Sequence, residues 1–144
     1  SACEALLHEK YGVDGSRLRV FGQNQWSAPC ASGTHVADAM VVCPATMGAV
    51  AAIAHGTSDH LLERAADVSI KEGRPLIIVP REAPLSAIHL ENLLKLARLG
   101  VCVLPPSPGF YQHPKTVDDI VDFVVARILD QLRIPHDLLP RWGE

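Results

Sequence analysis

Arg81 and Glu82 stand between the apolar run PLIIVP (75–80) and the rest of a proline-containing turn, PREAPLS. An arginine at that point can fork onto a phosphate or a planar heterocycle. The carboxylate beside it can move a proton. Tyr111 is a second candidate. It lies in PPSPGFYQHP (105–114), where four prolines surround one aromatic hydroxyl. A hydroxyl on a stiff loop loses little entropy when it binds. Arg127 follows sixteen positions later, in the next periodic apolar stretch. A third stretch, PATMGAV (44–50), offers the small residues Ala45, Thr46, Gly48 and Ala49. They let a ligand approach the backbone, and free amides at a helix start favour an anion. Each feature has a plainer alternative: a solvated ion pair, a packed loop aromatic, an exposed helical charge, a tight strand-to-helix turn.

The elements that must position these residues are legible. AMVVC (39–43), PLIIVP (75–80) and VCVL (101–104) are continuous apolar runs of strand length. The first is expected to break at Pro44 into a small-residue helix. SACEALLHEKYG predicts a helix ending at Gly12, followed by a short apolar run, LRVF (18–21), and a polar loop. SDHLLERAADVSIKEG (58–73) predicts a helix capped by Ser58 or Asp59. SAIHLENLLKLARLG (86–100) has helical period and stops at Gly100. In TVDDIVDFVVARILDQLR, Thr116 and Asp119 match a capping box. Apolar strands alternating with amphipathic helices predict an α/β fold with a parallel sheet buried on both faces. Ligands of such folds bind beyond the carboxyl ends of the strands, which is where all three candidate stretches fall.

Composition bounds the rest. The chain has 144 residues, 48% hydrophobic and 20% charged, with a net charge of −3. That fits one domain spanning residues 1–144 with a real core. It argues against nucleic-acid and membrane-surface partners. No apolar run reaches the roughly 18 residues needed to cross a bilayer. The cysteines at 3, 30, 43 and 102 show no CxxC or zinc spacing, and a reducing, cytoplasmic setting is expected. Cys43 and Cys102 lie in apolar runs and are expected to be buried. The seven histidines show no metal-site spacing and are expected at surface and capping positions. GxSxG, GxGxxG and the Walker loop are absent.

Three motifs occur together and in order: the PRE-x-PL turn at 80–85, the RAAD-x-x-x-KE helix at 64–72, and the PP-x-P-x-FY loop at 105–111. With the surrounding sequence, from Ala28 to Trp142, they resemble the UbiX-type flavin prenyltransferases. The resemblance implies a Rossmann-like, flavodoxin-type three-layer fold with a mostly parallel sheet. It implies transfer of a dimethylallyl group from dimethylallyl phosphate to N5 and C6 of reduced FMN, without a metal. The product would be prenylated FMN, the cofactor of UbiD-type decarboxylases. It also implies a homo-oligomer, trimers building a dodecamer, with sites at subunit interfaces.

Carried over residue by residue, the resemblance assigns Thr46, Met47, Gly48, Ala49 and Arg81 to flavin. The family often reads S-M-K-T where this chain has T-M-G-A, so side-chain contacts from the last two positions are lost. It assigns Glu82 to proton transfer, with Glu9 matching a further acid near the site. Arg64, Lys71, Tyr111 and Arg127 match the phosphate-binding set. Trp142 matches an aromatic that closes over the site. On this reading the prolines fix Tyr111 so that its hydroxyl donates to the donor's phosphate.

The family also begins with a strand and a GASGA-type loop for the FMN phosphate. These are expected in an upstream segment of the natural protein. Two other functions stay open on the residues alone. One is an FMN-dependent cysteine decarboxylase, although its PXMNXXMW motif is absent. The other is a non-catalytic FMN-binding subunit.

Overall fold

LIIVP builds the middle of the sheet because every one of its side chains is apolar and every one is buried. The structure is a computed structural model that describes residues 2–140. Its three strands are β1 (Met40–Ala45), β2 (Leu76–Pro80) and β3 (Cys102–Val103). They pair in parallel in the order β1-β2-β3. Val42 lies beside Ile78, and Ile78 beside Val103. The Leu104 N–H adds a bond to the Ile78 carbonyl at 2.8 Å. Pro105 and Pro106 then end the pairing, since proline has no N–H to donate.

The first strand differs from expectation in two ways. It does not break at Pro44 but runs through it to Ala45. The register shifts between Val42 and Ala45, and an irregular strand at the sheet margin tolerates a proline. The same irregularity turns Cys43 outward, so it is exposed rather than buried. Cys102 is only partly buried, because it sits on the other marginal strand. Burial on both faces therefore holds for β2 and not for β1.

Among the described residues, five helices accompany the sheet: α1 (Ala2–Tyr11), α2 (Met47–His55), α3 (Leu61–Lys71), α4 (Ala87–Arg98) and α5 (Val117–Leu132). Val50, Ile53 and Ala54 of α2 and Leu93 and Leu96 of α4 close over Val42 and Ile78, with Ala66 of α3 in the same cluster. Burying such a side chain contributes about 1.5–3 kcal/mol. The capping box expected at Thr116 is present, and α4 starts with a second that was not expected. Thr116 and Asp119 exchange bonds on α5, and Ser86 does so with His89 on α4. For α3 the cap is His60 rather than Ser58 or Asp59, and it makes no side-chain cap bond. Glu63 reaches back instead, accepting the Asp59 N–H at 2.7 Å and facing His60 Nε2 at 3.1 Å. Helix α1 buries none of its residues. The polar stretch before β1 holds two single 3₁₀ turns, Pro29–Ala31 and Gly33–His35.

Candidate functional site

Arg81 is placed by a backbone bond. Its N–H donates to the Ala45 carbonyl at 3.1 Å, which ties the loop leaving β2 to the end of β1. Thr46 and Met47 from one side, and Arg81 and Glu82 from the other, line a cleft of about 670 Å³. Pro105, Pro106 and Ser107, from the end of β3, complete the wall. Such a volume suits a small-molecule site, typically about 300–1,000 Å³.

The cleft carries few but well-defined polar groups. Glu82 holds the Ala83 N–H on Oε1 at 3.1 Å, which leaves Oε2 outside that bond. Thr46 Oγ1 accepts the Ala49 N–H at 3.1 Å and caps α2. The Val50 N–H begins the helical ladder on the Thr46 carbonyl at 3.0 Å. The Met47 and Gly48 amides therefore have no acceptor within the helix. A Cβ added at Gly48 would meet only Thr46 Oγ1, at 3.8 Å. The backbone there is open to approach. Gly48 and Ala49 do not line the cleft, and Ala49 spends its N–H on the cap.

Pro105 and Ser107 also border a smaller cleft, about 290 Å³, that reaches Phe123 and Arg127 of α5. Phe123 and Arg127 in turn border a third, about 540 Å³, shared with Tyr111, Asp130, Arg133 and His136. The three clefts thus adjoin through common walls, running from the strand ends to α5. Tyr111 lies in a 3₁₀ turn, Phe110–Gln112. Its ring stands edge-on to Phe123, with centroids 6.3 Å apart and planes at 88°. Phe123 and Arg127 lie one helical turn apart, on one face. A Cβ on Gly109 would collide with both the Tyr111 and Phe123 rings.

Arg127 is held in place. Its Nη1 donates to Asp130 Oδ2 at 2.6 Å. The other oxygen, Oδ1, faces His136 Nε2 at 2.9 Å. The His136 hydrogen bond, and with it the Arg127 charge, keeps the Asp130 carboxyl below the ordinary aspartate range against the opposing push of burial.

The remaining expected residues lie elsewhere in the chain. Arg64 donates from Nε to the Ala31 carbonyl at 3.1 Å and pairs with Asp67 at 2.9 Å. Lys71 pairs with Glu72, holding that carboxyl low, beside Gly33. Neither lines any of the three clefts. Glu9 is exposed on α1, also away from them. Trp142 lies outside the described residues. The phosphate set is therefore split within one copy of the chain: Tyr111 and Arg127 share a cleft, while Arg64 and Lys71 sit on α3.

Residues 4–129 match the Flavoprotein family. The flavin prenyltransferase UbiX of Pseudomonas aeruginosa is 58% identical over 143 residues, covering 99% of this chain and 68% of that relative. The chain belongs to the UbiX family of flavoproteins. Among solved structures, a dodecameric FMN-dependent UbiX-like decarboxylase from Escherichia coli O157:H7 is 51% identical with a TM-score of 0.83. The match covers 86% of this chain and 67% of that one. The structure of AnUbiX (PadA1) in complex with FMN and dimethylallyl pyrophosphate is 38% identical with a TM-score of 0.84. There the match covers 98% of this chain and 78% of the other. The UbiX-type fold expected from the motifs is thus the fold observed.

Sequence reasoning missed two groups of residues around these clefts. Asp130 was detectable, since it lies three residues after Arg127 and so on the same helical face. His136 was not, because it returns to Asp130 only after the chain reverses at Arg133, whose φ is 56°. A further cleft of about 300 Å³, lined by Trp26, Ala31, Ser32 and His35 among others, forms from the loop that reads only as polar. Arg64 clamps that loop through the Ala31 carbonyl.

Proposed function

We propose that this chain transfers a dimethylallyl group from dimethylallyl phosphate to reduced FMN, yielding prenylated FMN. What supports this most directly is the continuity of the Arg81–Glu82 cleft, through Pro105 and Ser107, with the surface that carries Arg127 and Tyr111. Membership of the UbiX family, and a similar structure holding FMN with dimethylallyl pyrophosphate, point the same way.

The residues present fit a flavin. The strand-end cleft has the volume for a ring system, one guanidinium in its wall, and at Met47 a helix-start amide without a helical acceptor, with that of Gly48 next in the chain. Reduced FMN, when bound, supplies the nucleophilic ring positions N5 and C6. Arg81 would stack on or donate to the ring. Met47 and Gly48 would offer backbone N–H groups, and Thr46 can still donate its hydroxyl proton while accepting from Ala49. Glu82 would exchange a proton at Oε2. Arg127 and Tyr111 would hold the donor's phosphate, each charge-assisted contact being worth about 1.5–3 kcal/mol. They would also stabilise the negative charge that gathers on phosphate as its bond to the allylic carbon breaks.

Arg64 and Lys71 would join the site from a neighbouring copy in a homo-oligomer. Helix α4 exposes Ile88, Leu90 and Leu94, and α5 exposes Val117 and Val121, apolar surface of the kind association covers. A UbiD-type decarboxylase would consume the product.

The test is a mass spectrum of the flavin released after anaerobic incubation of the full chain with reduced FMN and dimethylallyl phosphate. A flavin heavier by one C5H8 unit is the expected result. Unchanged FMN, with the donor left intact, would overturn the reading.

A further inference from the structure

Every polar atom of one side chain at the Arg127 cleft is engaged, although no assigned role requires it. Asp130 takes the Arg127 Nη1 on Oδ2 at 2.6 Å and His136 Nε2 on Oδ1 at 2.9 Å. The ring of His136 is fixed from its other side as well. Its Nδ1 accepts the Leu138 N–H at 3.3 Å. A carboxylate only accepts, and an amide N–H only donates. Nε2 is therefore the nitrogen that donates to Asp130. His136 is also well sheltered, its side chain 14% exposed, against 43% for Asp130 and 49% for Arg127.

The chain geometry gives this set of contacts a purpose. Helix α5 ends at Leu132, and Arg133 adopts the left-handed conformation, φ 56°. A non-glycine residue held there costs about 1 kcal/mol or more, so the surrounding contacts must hold it. They do so by folding the following segment back onto the last turns of α5, where His136 meets Asp130. One carboxylate thereby sets both the reversed segment and the guanidinium. The pair with Arg127 is made through Nη1 alone, so the other guanidinium N–H groups are not taken by Asp130.

We propose that Asp130 is the positioning residue for Arg127, aiming its guanidinium at the donor's phosphate and locking it to the segment after α5 through His136. This rests on the prenyl-transfer reading for the identity of the phosphate ligand. It predicts that an arginine left without Asp130 samples several rotamers, and that the cost appears as weaker phosphate binding. Positioning losses of this kind need no loss of charge or of fold.

Direct titration by calorimetry, with dimethylallyl phosphate and the FMN-loaded chain, tests this apart from turnover. Asp130→Asn keeps the shape and removes the charge. It should weaken donor binding about tenfold, leave FMN retention unchanged, and lower Tm by no more than a few degrees. His136→Phe should weaken donor binding by a smaller factor. Asp130→Glu should restore part of the loss. In an Arg127→Ala background, Asp130→Asn should add nothing. A wild-type donor affinity in Asp130→Asn would overturn the proposal, as would a full tenfold loss persisting without Arg127. If the wild-type chain binds the donor with the Asp130 dependence intact yet makes no heavier flavin, the reaction assignment fails while the positioning role stands.

Discussion

The ring of Tyr111 meets the ring of Phe123 edge-on, centroids 6.3 Å apart at 88°, and this contact brings the proline loop onto the face of α5 that carries Arg127. The prolines alone would stiffen the loop without aiming it. Phe123 aims it.

Phe123→Leu should therefore separate aim from stiffness. The edge-on pair is worth about 0.5–1.5 kcal/mol beyond its buried area. Denaturant unfolding should show a loss of that order. The prenylation rate should fall while FMN affinity holds, since Phe123 does not line the strand-end cleft. An unchanged rate would mean that the loop reaches its position without this ring.

Gly109→Ala should be costly despite the small change. Its added methyl would run into both the Tyr111 and Phe123 rings, and overpacking of this kind costs about 1–3 kcal/mol. A lower Tm together with a lower rate is expected. Gly48→Ala is the contrasting variant, because open space surrounds that position. It should keep its Tm, and any loss of flavin would report backbone approach by the ligand.

Arg81 and Glu82 should divide in their effects. Arg81→Ala should cut FMN retention tenfold or more, about 1.4 kcal/mol, measured by flavin fluorescence. Glu82→Gln should keep FMN and the donor but slow the chemical step by about 10²–10⁴. Equal loss of binding in both variants would count against a proton role for Glu82.

The start of α5 should show a defined pH response. Asp119 accepts N–H bonds from Lys115 at 2.8 Å and Thr116 at 3.0 Å, which hold its carboxyl below the usual aspartate value of 3.8. The folded value lies under the unfolded one. The stabilisation is therefore complete above about pH 4 and is lost as pH falls through the folded value. Tm should decline on acidification below about pH 4, and Asp119→Asn should flatten part of that decline. Thr116→Ala should cost about 1 kcal/mol at neutral pH.

Arg64 and Arg127 do not share a cleft within one copy of the chain. If neighbouring copies complete the site, mixing Arg64→Ala with Arg127→Ala protein under subunit exchange should regain activity that neither has alone. Each variant by itself should bind dimethylallyl phosphate at least tenfold more weakly.

Much of this molecule was written in its local pattern. LIIVP is apolar at every position, so it had to be a buried strand, and strand and helix alternation required a parallel sheet with sites at its carboxyl ends. Thr116 with Asp119 announced the start of α5, since a capping box needs only residues three apart. The PREAPL and PPSPGFY motifs named the family. Tertiary structure decided the rest, because it depends on contacts between residues far apart in the chain. The Arg81 N–H closes on the Ala45 carbonyl and merges two strand ends into one cleft. The register shift in β1 carries the strand through Pro44 and turns Cys43 outward, where an apolar run alone predicts burial. Arg64 and Lys71, which the family resemblance groups with Tyr111 and Arg127, line none of the clefts those residues border, since α3 packs against the loop at Ala31. His136 reaches Asp130 only because the backbone reverses at Arg133, a conformation that no side-chain pattern announces.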